Sequence, residues 1–270
     1  MYRIKRWHVA VACVAVLVGA STTPGVIITF DTEDDFTTPL MNGQIVDPAF
    51  DPVDLEFGNL FDVSSTSPGT GPHLGVTVFD SDQCCPSEDD DLLVNRGNIL
   101  ILQDDEEPGT MLHPNVGLRY QRPDDEDEFS HRGSIVFDFF NPVVANSIDL
   151  VDVNGDTFVV VTLTDSAGKQ RQYDVPNGFT NNFPTLNGFD TLNLNTLANQ
   201  VGEGGGTVTA SQDIGFDSLD VRKLDVFFIG SGGLDTLRFE VIPEPTTLML
   251  LAIGAGLLVR RRRKGQRDVG

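Results

Sequence analysis

The sequence predicts an all-β protein, an antiparallel β-sandwich of jelly-roll type, and three observations predict it. Short apolar or alternating runs recur along the body of the chain, and several, such as Leu192-Asn193-Leu194-Asn195, show the two-residue period of a half-buried strand. Turn residues punctuate the runs at close intervals: Asn154-Gly155, Ser166-Ala167-Gly168-Lys169 and the glycine-rich loop "GEGGGT" over 202–207. No stretch of the body carries a sustained 3.6-residue apolar period, so nothing there argues for an amphipathic helix. Many short strands with Gly, Asn and Asp turns are the pattern of sandwiches.

In chain order the expected strands are "VIITFD" (26–31), "HLGVTVFD" (73–80), "NILILQ" (98–103), "GSIVFDFF" (133–140), "SIDLVDV" (147–153) and "TFVVVTLTD" (157–165). "QRQYDV", "DTLNLNTL", "KLDVFFIG" and "DTLRFEVI" follow. Asn154-Gly155 predicts a hairpin between "SIDLVDV" and "DTFVVVTLTD", since both residues tolerate positive φ. The acidic runs 87–91, 103–109 and 123–129 are expected to be solvated loop tips. All 18 Phe lie in the body, and each one buried stabilises the fold by about 1.5 to 3 kcal/mol. Only Cys84 and Cys85 remain outside the first twenty residues, too few for a disulfide framework. Being adjacent, they can form a strained ring, pair with another chain or stay reduced.

The two ends read differently from the body. "MYRIKRWH" supplies Arg3, Lys5 and Arg6 ahead of the apolar run "VAVACVAVLV", and small residues follow, with cleavage expected after Ala20. This is the layout of a secretory signal peptide, residues 1–20. At the other end, Leu248 to Val259 is an apolar run that, with Thr246 and Thr247, reaches about 21 Å as a helix, short of a hydrocarbon layer of about 30 Å. Arg260, Arg261, Arg262, Arg263 and Lys264 follow as a block that resists translocation and stays cytoplasmic. Residues 21–242 are therefore the single folded domain, 243–264 a membrane-directed segment and 265–270 a cytoplasmic tail.

Charge sorts the partners. Residues 21–243 hold nine Lys and Arg against 38 Asp and Glu, a formal charge of −29. Such a surface repels nucleic acid and anionic lipid and attracts cations. In "FDTEDDF", Asp31, Glu33 and Asp35 would share one face of a strand, where they repel one another unless exposed or bridged by a cation. With Asp235 as a partner by fold analogy, they form the candidate site for a structural calcium ion. "DVNGD" (152–156) offers oxygens too, but the helix–loop–helix spacing fails, with Leu150 and Val161 at its first and last acidic positions.

No catalytic group is expected. The chain has no G-x-S-x-G elbow, H-E-x-x-H or phosphate loop. His73, His113 and His131 fall in expected loops, and among so many acids no carboxylate pair stands out. Sugar binding usually employs a flat Trp or Tyr face. Here Trp7 lies in the signal peptide, and the body has only Tyr120 and Tyr173.

Pro243-Glu244-Pro245-Thr246, the apolar run and the arginine block, in that order at the C-terminus, resemble the PEP-CTERM sorting signal. The resemblance implies export across an inner membrane, transient retention there, and recognition by an exosortase, a membrane-embedded cysteine protease. The implied destination is the cell surface or extracellular matrix of a Gram-negative-type bacterium. The phrases "TFDTEDDFTTPLMNGQIV", "EFGNLF", "DLLVNRGNILILQ", "GSIVFDFFNPV" and "FIGSGGLDTLRFEVIPEP" also resemble a group of secreted proteins with this tail, a group that carries no assigned activity. The expected function is thus a non-enzymatic envelope or matrix protein with a structural or adhesive role, requiring no cofactor and binding no nucleic acid. The alternatives are a carbohydrate-binding module for secreted exopolysaccharide and, more distantly, a polysaccharide hydrolase.

Overall fold

The structure is a computed structural model that describes residues 25–50, 57–66, 75–82, 92–103, 109–113, 117–125, 132–181 and 188–243. The expected signal helix, most of the sorting tail, Cys84 and Cys85 lie outside the described residues. Pro24–Ile242 forms one compact unit.

Fourteen strands make up the described regular structure, all paired antiparallel. They are β1 (Val26–Ile28), β2 (Phe61–Thr66), β3 (Val76–Asp80), β4 (Asn98–Leu102), β5 (Thr110–His113), β6 (Gly117–Tyr120) and β7 (Arg132–Val151). β8 (Phe158–Asp165), β9 (Gln170–Val175), β10 (Phe189–Asn193), β11 (Gln200–Val201), β12 (Thr207–Gln212), β13 (Val221–Ile229) and β14 (Gly233–Val241) complete them. Twelve share one hydrogen-bonded network in the order β11-β12-β9-β8-β13-β7-β14-β4-β3, with β1 on β14 and β2 and β10 on β7. β5 and β6 form a separate two-stranded sheet.

The 20-residue β7 organises this network, and sequence reading divides it in two. Its first half, the expected "GSIVFDFF" strand, pairs with β2 and β13, while its second half pairs with β10 and β14. Between the halves the pairing with β13 skips from Lys223↔Asp138 to Val221↔Val143. Pro142 falls in this skip, where its missing N–H breaks no ladder bond. Its carbonyl still accepts a bond from the Ile242 N–H at 2.7 Å.

The strand alternation places one apolar set inside. On β8 Val159, Val161 and Leu163 are buried, and on β13 Val221, Leu224, Val226 and Phe228. Phe61 of β2 lies 5.3 Å from Phe137 and 5.7 Å from Phe139 of β7, and 6.1 Å from Phe239 of β14. The rings on both pairing groups of β7 therefore meet in one cluster, although Val, Leu and Ile supply most of the buried apolar residues and Phe36, Phe140 and Phe158 are exposed. A second, smaller cluster of Phe79, Leu92, Val94, Ile99, Ile101 and Val151 forms where residues 92–97 pack over β3 and β4.

Other expectations change as well: the expected "DTLNLNTL" strand stops at Asn193, with Leu194 and Asn195 in a turn. Asn154-Gly155 does turn the chain, with Gly155 at φ +55° and the Thr157 N–H bonded to the Asn154 carbonyl at 2.8 Å. It closes no hairpin, however, because β13 lies between β7 and β8; a local turn signal says nothing of a strand arriving seventy residues later. The "VIITFD" strand stops at Ile28, and residues 31–38 form a turn held by Glu33 N–H to the Thr38 carbonyl at 2.8 Å and Leu40 N–H to the Asp31 carbonyl at 3.0 Å. Asp125, expected at a solvated tip, is buried, its carboxylate accepting from the Gly232 N–H and, at 2.8 Å, from the Ser231 hydroxyl.

The glycine-rich loop is a packing device. A Cβ on Gly204 would stand 2.2 Å from the Thr180 carbonyl oxygen and 2.3 Å from that of Gly178. Only hydrogen fits where the loop lies on residues 178–180.

Candidate functional site

The element that leads to the C-terminal signal is β14. Its apolar residues Leu234, Leu237 and Phe239 are buried, and its last residue, Val241, pairs with Val143 of β7. Ile242 continues the contact through its bond to Pro142, and the sorting motif starts at Pro243 with no spacer. Pro142 is bordered by Phe140, which is 44% exposed. The Phe140 carbonyl accepts from Arg222 Nη1 at 3.2 Å, and Arg222 Nε donates to Asp220 at 3.3 Å. Leu219, 59% exposed, precedes this pair. The last strand of the domain thus delivers the chain to the motif at a rim of exposed apolar residues and a balanced ion pair.

A family model described as the PEP-CTERM protein-sorting motif matches residues 241–264. The chain carries a PEP-CTERM sorting signal. That signal marks an exported protein with an exosortase-processed C-terminus, and the match starts on the final residue of β14. No curated protein matches the chain. Pro243 is the one residue of Pro243-Glu244-Pro245-Thr246 among those described; the apolar run and Arg260 to Lys264 lie outside them.

Three of the four candidate calcium ligands, Asp35, Asp31 and Asp235, go to separate duties, and Glu33 closes the 31–38 turn through its backbone. Asp35 caps its own turn: Oδ1 accepts the Thr37 and Thr38 N–H groups, each at 2.7 Å, and Oδ2 accepts both hydroxyls. The Thr38 amide, then its hydroxyl and the Thr37 amide, hold this carboxyl well below the usual range. Asp31 accepts the Asn98 N–H at 3.0 Å, tying the turn to β4. Asp235 lies elsewhere, on β14. Among the described residues no group of three or more His, Cys, Asp or Glu is gathered closely enough to hold a metal ion.

Asp235 belongs instead to a charge network that sequence reading missed. It stands opposite Asp149 of β7, which stands opposite Thr191 of β10. Two carboxylates, each about 1% exposed, would repel one another, and Arg96 resolves this. Its Nε lies 2.5 Å from Asp235 and its Nη2 2.8 Å from Asp149, while its guanidinium stacks 4.1 Å from the Phe189 ring centre. Arg238 reaches Asp149 at 3.0 Å and the Thr191 hydroxyl donates to it at 2.6 Å. Burial raises the Asp235 carboxyl above the usual range, against the Thr236 N–H and Arg96, which lower it. Arg96 lies 139 residues before Asp235 in the chain, so no local pattern joins them.

Other carboxylates also serve the fold. Asp165 ends β8 and accepts N–H groups from Ala167, Lys169 and Asp217 at 2.8 to 2.9 Å. Burial alone would raise it, but these donors outweigh burial and hold it below the usual range. Its bonds confirm the Ser166–Lys169 hairpin between β8 and β9, with Gly168 at φ +74°.

An open depression of about 480 Å³ lies over the solvent face of β7, β13, β8 and β9. It is lined by Ser134, Thr162, Thr164, Gln170, Lys223, Asp225 and Phe227. Strand pairing builds it: Asp225 faces Thr162, Phe227 lies beside Ser134, and Lys223 faces Thr164. These side chains alternate with the buried Leu224, Val226 and Phe228. Lys223 and Asp225 approach to 4.0 Å, so the depression combines hydroxyls, one amide, a balanced ion pair and one phenyl face.

Proposed function

We propose that this protein is a non-enzymatic component of the bacterial surface or extracellular matrix, released to that site when an exosortase trims its C-terminal signal. The motif at 241–264, joined without a spacer to the last strand of the domain, carries the proposal. A structural or adhesive role is supported by the net charge of residues 21–243, which favours cation-bridged contacts, and by the use of Asp35, Asp149, Asp165 and Asp235 as struts of the fold. We read the two pairing groups of β7 as the layers of a jelly-roll-type sandwich, with Phe61 and Phe239 meeting between them. The test is mass spectrometry of the mature protein from its producing bacterium. The expected C-terminus falls near Pro243–Thr246 and depends on the exosortase; a chain ending at Gly270 would refute it.

Carbohydrate binding is the second reading, and the open depression favours it. Hydroxyl, amide and phenyl groups on a shallow face suit a polyhydroxylated ligand. A glycan array on the exported protein, with and without calcium, separates the readings. Binding lost on Phe227→Ala would establish the module; thermal stabilisation by calcium with no glycan bound would favour the structural role.

A further inference from the structure

We propose that, while the tail is still attached, the rim formed by Phe140, Pro142 and Leu219 rests on the outer surface of the lipid bilayer. The proposal depends on the reading above that the apolar run enters a membrane.

Chain length makes the first half of the argument. Ile242 is fixed to the domain by its bond to the Pro142 carbonyl, and the apolar run begins at Leu248. Six residues span at most about 20 Å fully extended. A headgroup layer of roughly 6 Å uses part of that reach. What remains brings the end of β14 to within roughly 14 Å of the lipid surface. The body is therefore held no farther than about 14 Å from the bilayer, and the end of β14 is its tethered point.

The chemistry of that rim makes the second half. Phe140 and Leu219 are 44% and 59% exposed, both within a few residues of the row in which Val241, Val143 and Val221 pair side by side. An apolar ring and an isobutyl group gain by entering the boundary between headgroups and acyl chains. Of the two carboxylates beside Leu219, Asp220 is paired with Arg222 and Asp217 accepts the Leu219 N–H at 2.9 Å, which limits the repulsion that the rest of this acidic body would meet. Once the tail is trimmed the tether is gone, and two side chains are too little apolar surface to hold the domain on lipid. Trimming and release are then one event.

The experiment places single tryptophans on the full chain. In a Trp7→Phe background, Phe140→Trp, Leu219→Trp and Phe158→Trp are each reconstituted into phosphatidylcholine vesicles with brominated acyl chains. Phe158 is also surface-exposed, at 41%, but stands seven residues along β8 from Asp165, which pairs with Val221 at the rim. That is about 23 Å of strand. Emission from the tryptophans at 140 and 219 is expected to be quenched and blue-shifted, and emission from 158 unchanged. If the chain floats with the vesicles, a chain cut after Ile242 does not, and all three tryptophans emit alike, the docked rim is refuted while the membrane tail stands. If the chain fails to float at all, the membrane reading beneath the proposal fails. Circular dichroism of each variant confirms that it is folded.

Discussion

Replacing Arg96 by alanine should destabilise the domain in a pH-dependent way. In the native protein the guanidinium neutralises Asp235 directly and shares Asp149 with Arg238. Without it, Asp149 keeps Arg238 at 3.0 Å, but Asp235 becomes a carboxylate about 1% exposed with no cation beside it. Breaking a fully buried pair costs about 3 to 5 kcal/mol. The Arg96 side chain is 27% exposed, so solvent screening reduces this to about 2 to 3 kcal/mol at pH 7.5. The sign of the pH effect follows from burial. A carboxyl whose pKa is raised in the folded state favours the fold while it is protonated, and that contribution is lost as pH rises through its folded pKa. Removing Arg96 strengthens this behaviour. The deficit of the Arg96→Ala variant, measured by urea unfolding against wild type at each pH, should therefore shrink between pH 7.5 and 4.5. Adding Asp235→Asn should recover much of the loss at pH 7.5. An equal deficit at both pH values, unaltered by the second substitution, would show that Arg96 acts by packing on Phe189 alone.

Two further outcomes concern the core and the glycine-rich loop. Phe61→Ala should cost about 3 to 5 kcal/mol in urea unfolding, because the ring touches four others, at 5.0 Å for Phe57 and up to 6.1 Å for Phe239, and the void cannot collapse from both sides. Gly204→Ala should cost about 1 to 3 kcal/mol, since backbone carbonyls block the methyl group. It should exceed the roughly 1 kcal/mol of Gly155→Ala, where φ is positive but the space is open. Equal melting temperatures for the two glycine variants would count against the packing role of the loop.

Local patterns were enough to determine most of the strands. Alternation marked β8, β13 and β14 within a residue or two, because it reports which face meets the core, and the Ser166–Lys169 turn needed only its own residues. The sorting signal was legible for the same reason: its proline pair, apolar run and basic block lie in consecutive sequence. Pairing was not legible. β7 was expected as two strands, "GSIVFDFF" and "SIDLVDV", and the neighbours that make it continuous come from β2, β10, β13 and β14. Nor could any spacing rule show that Asp235 would meet Arg96, or that "FDTEDDF" would close on itself once Asp35 found the Thr37 and Thr38 donors. Sequence by itself determined the strand-rich class and the C-terminal address, which depend on neighbours along the chain. Tertiary structure alone decided the strand order, the charge network and the rim from which the tail departs, since each depends on groups brought together across long loops.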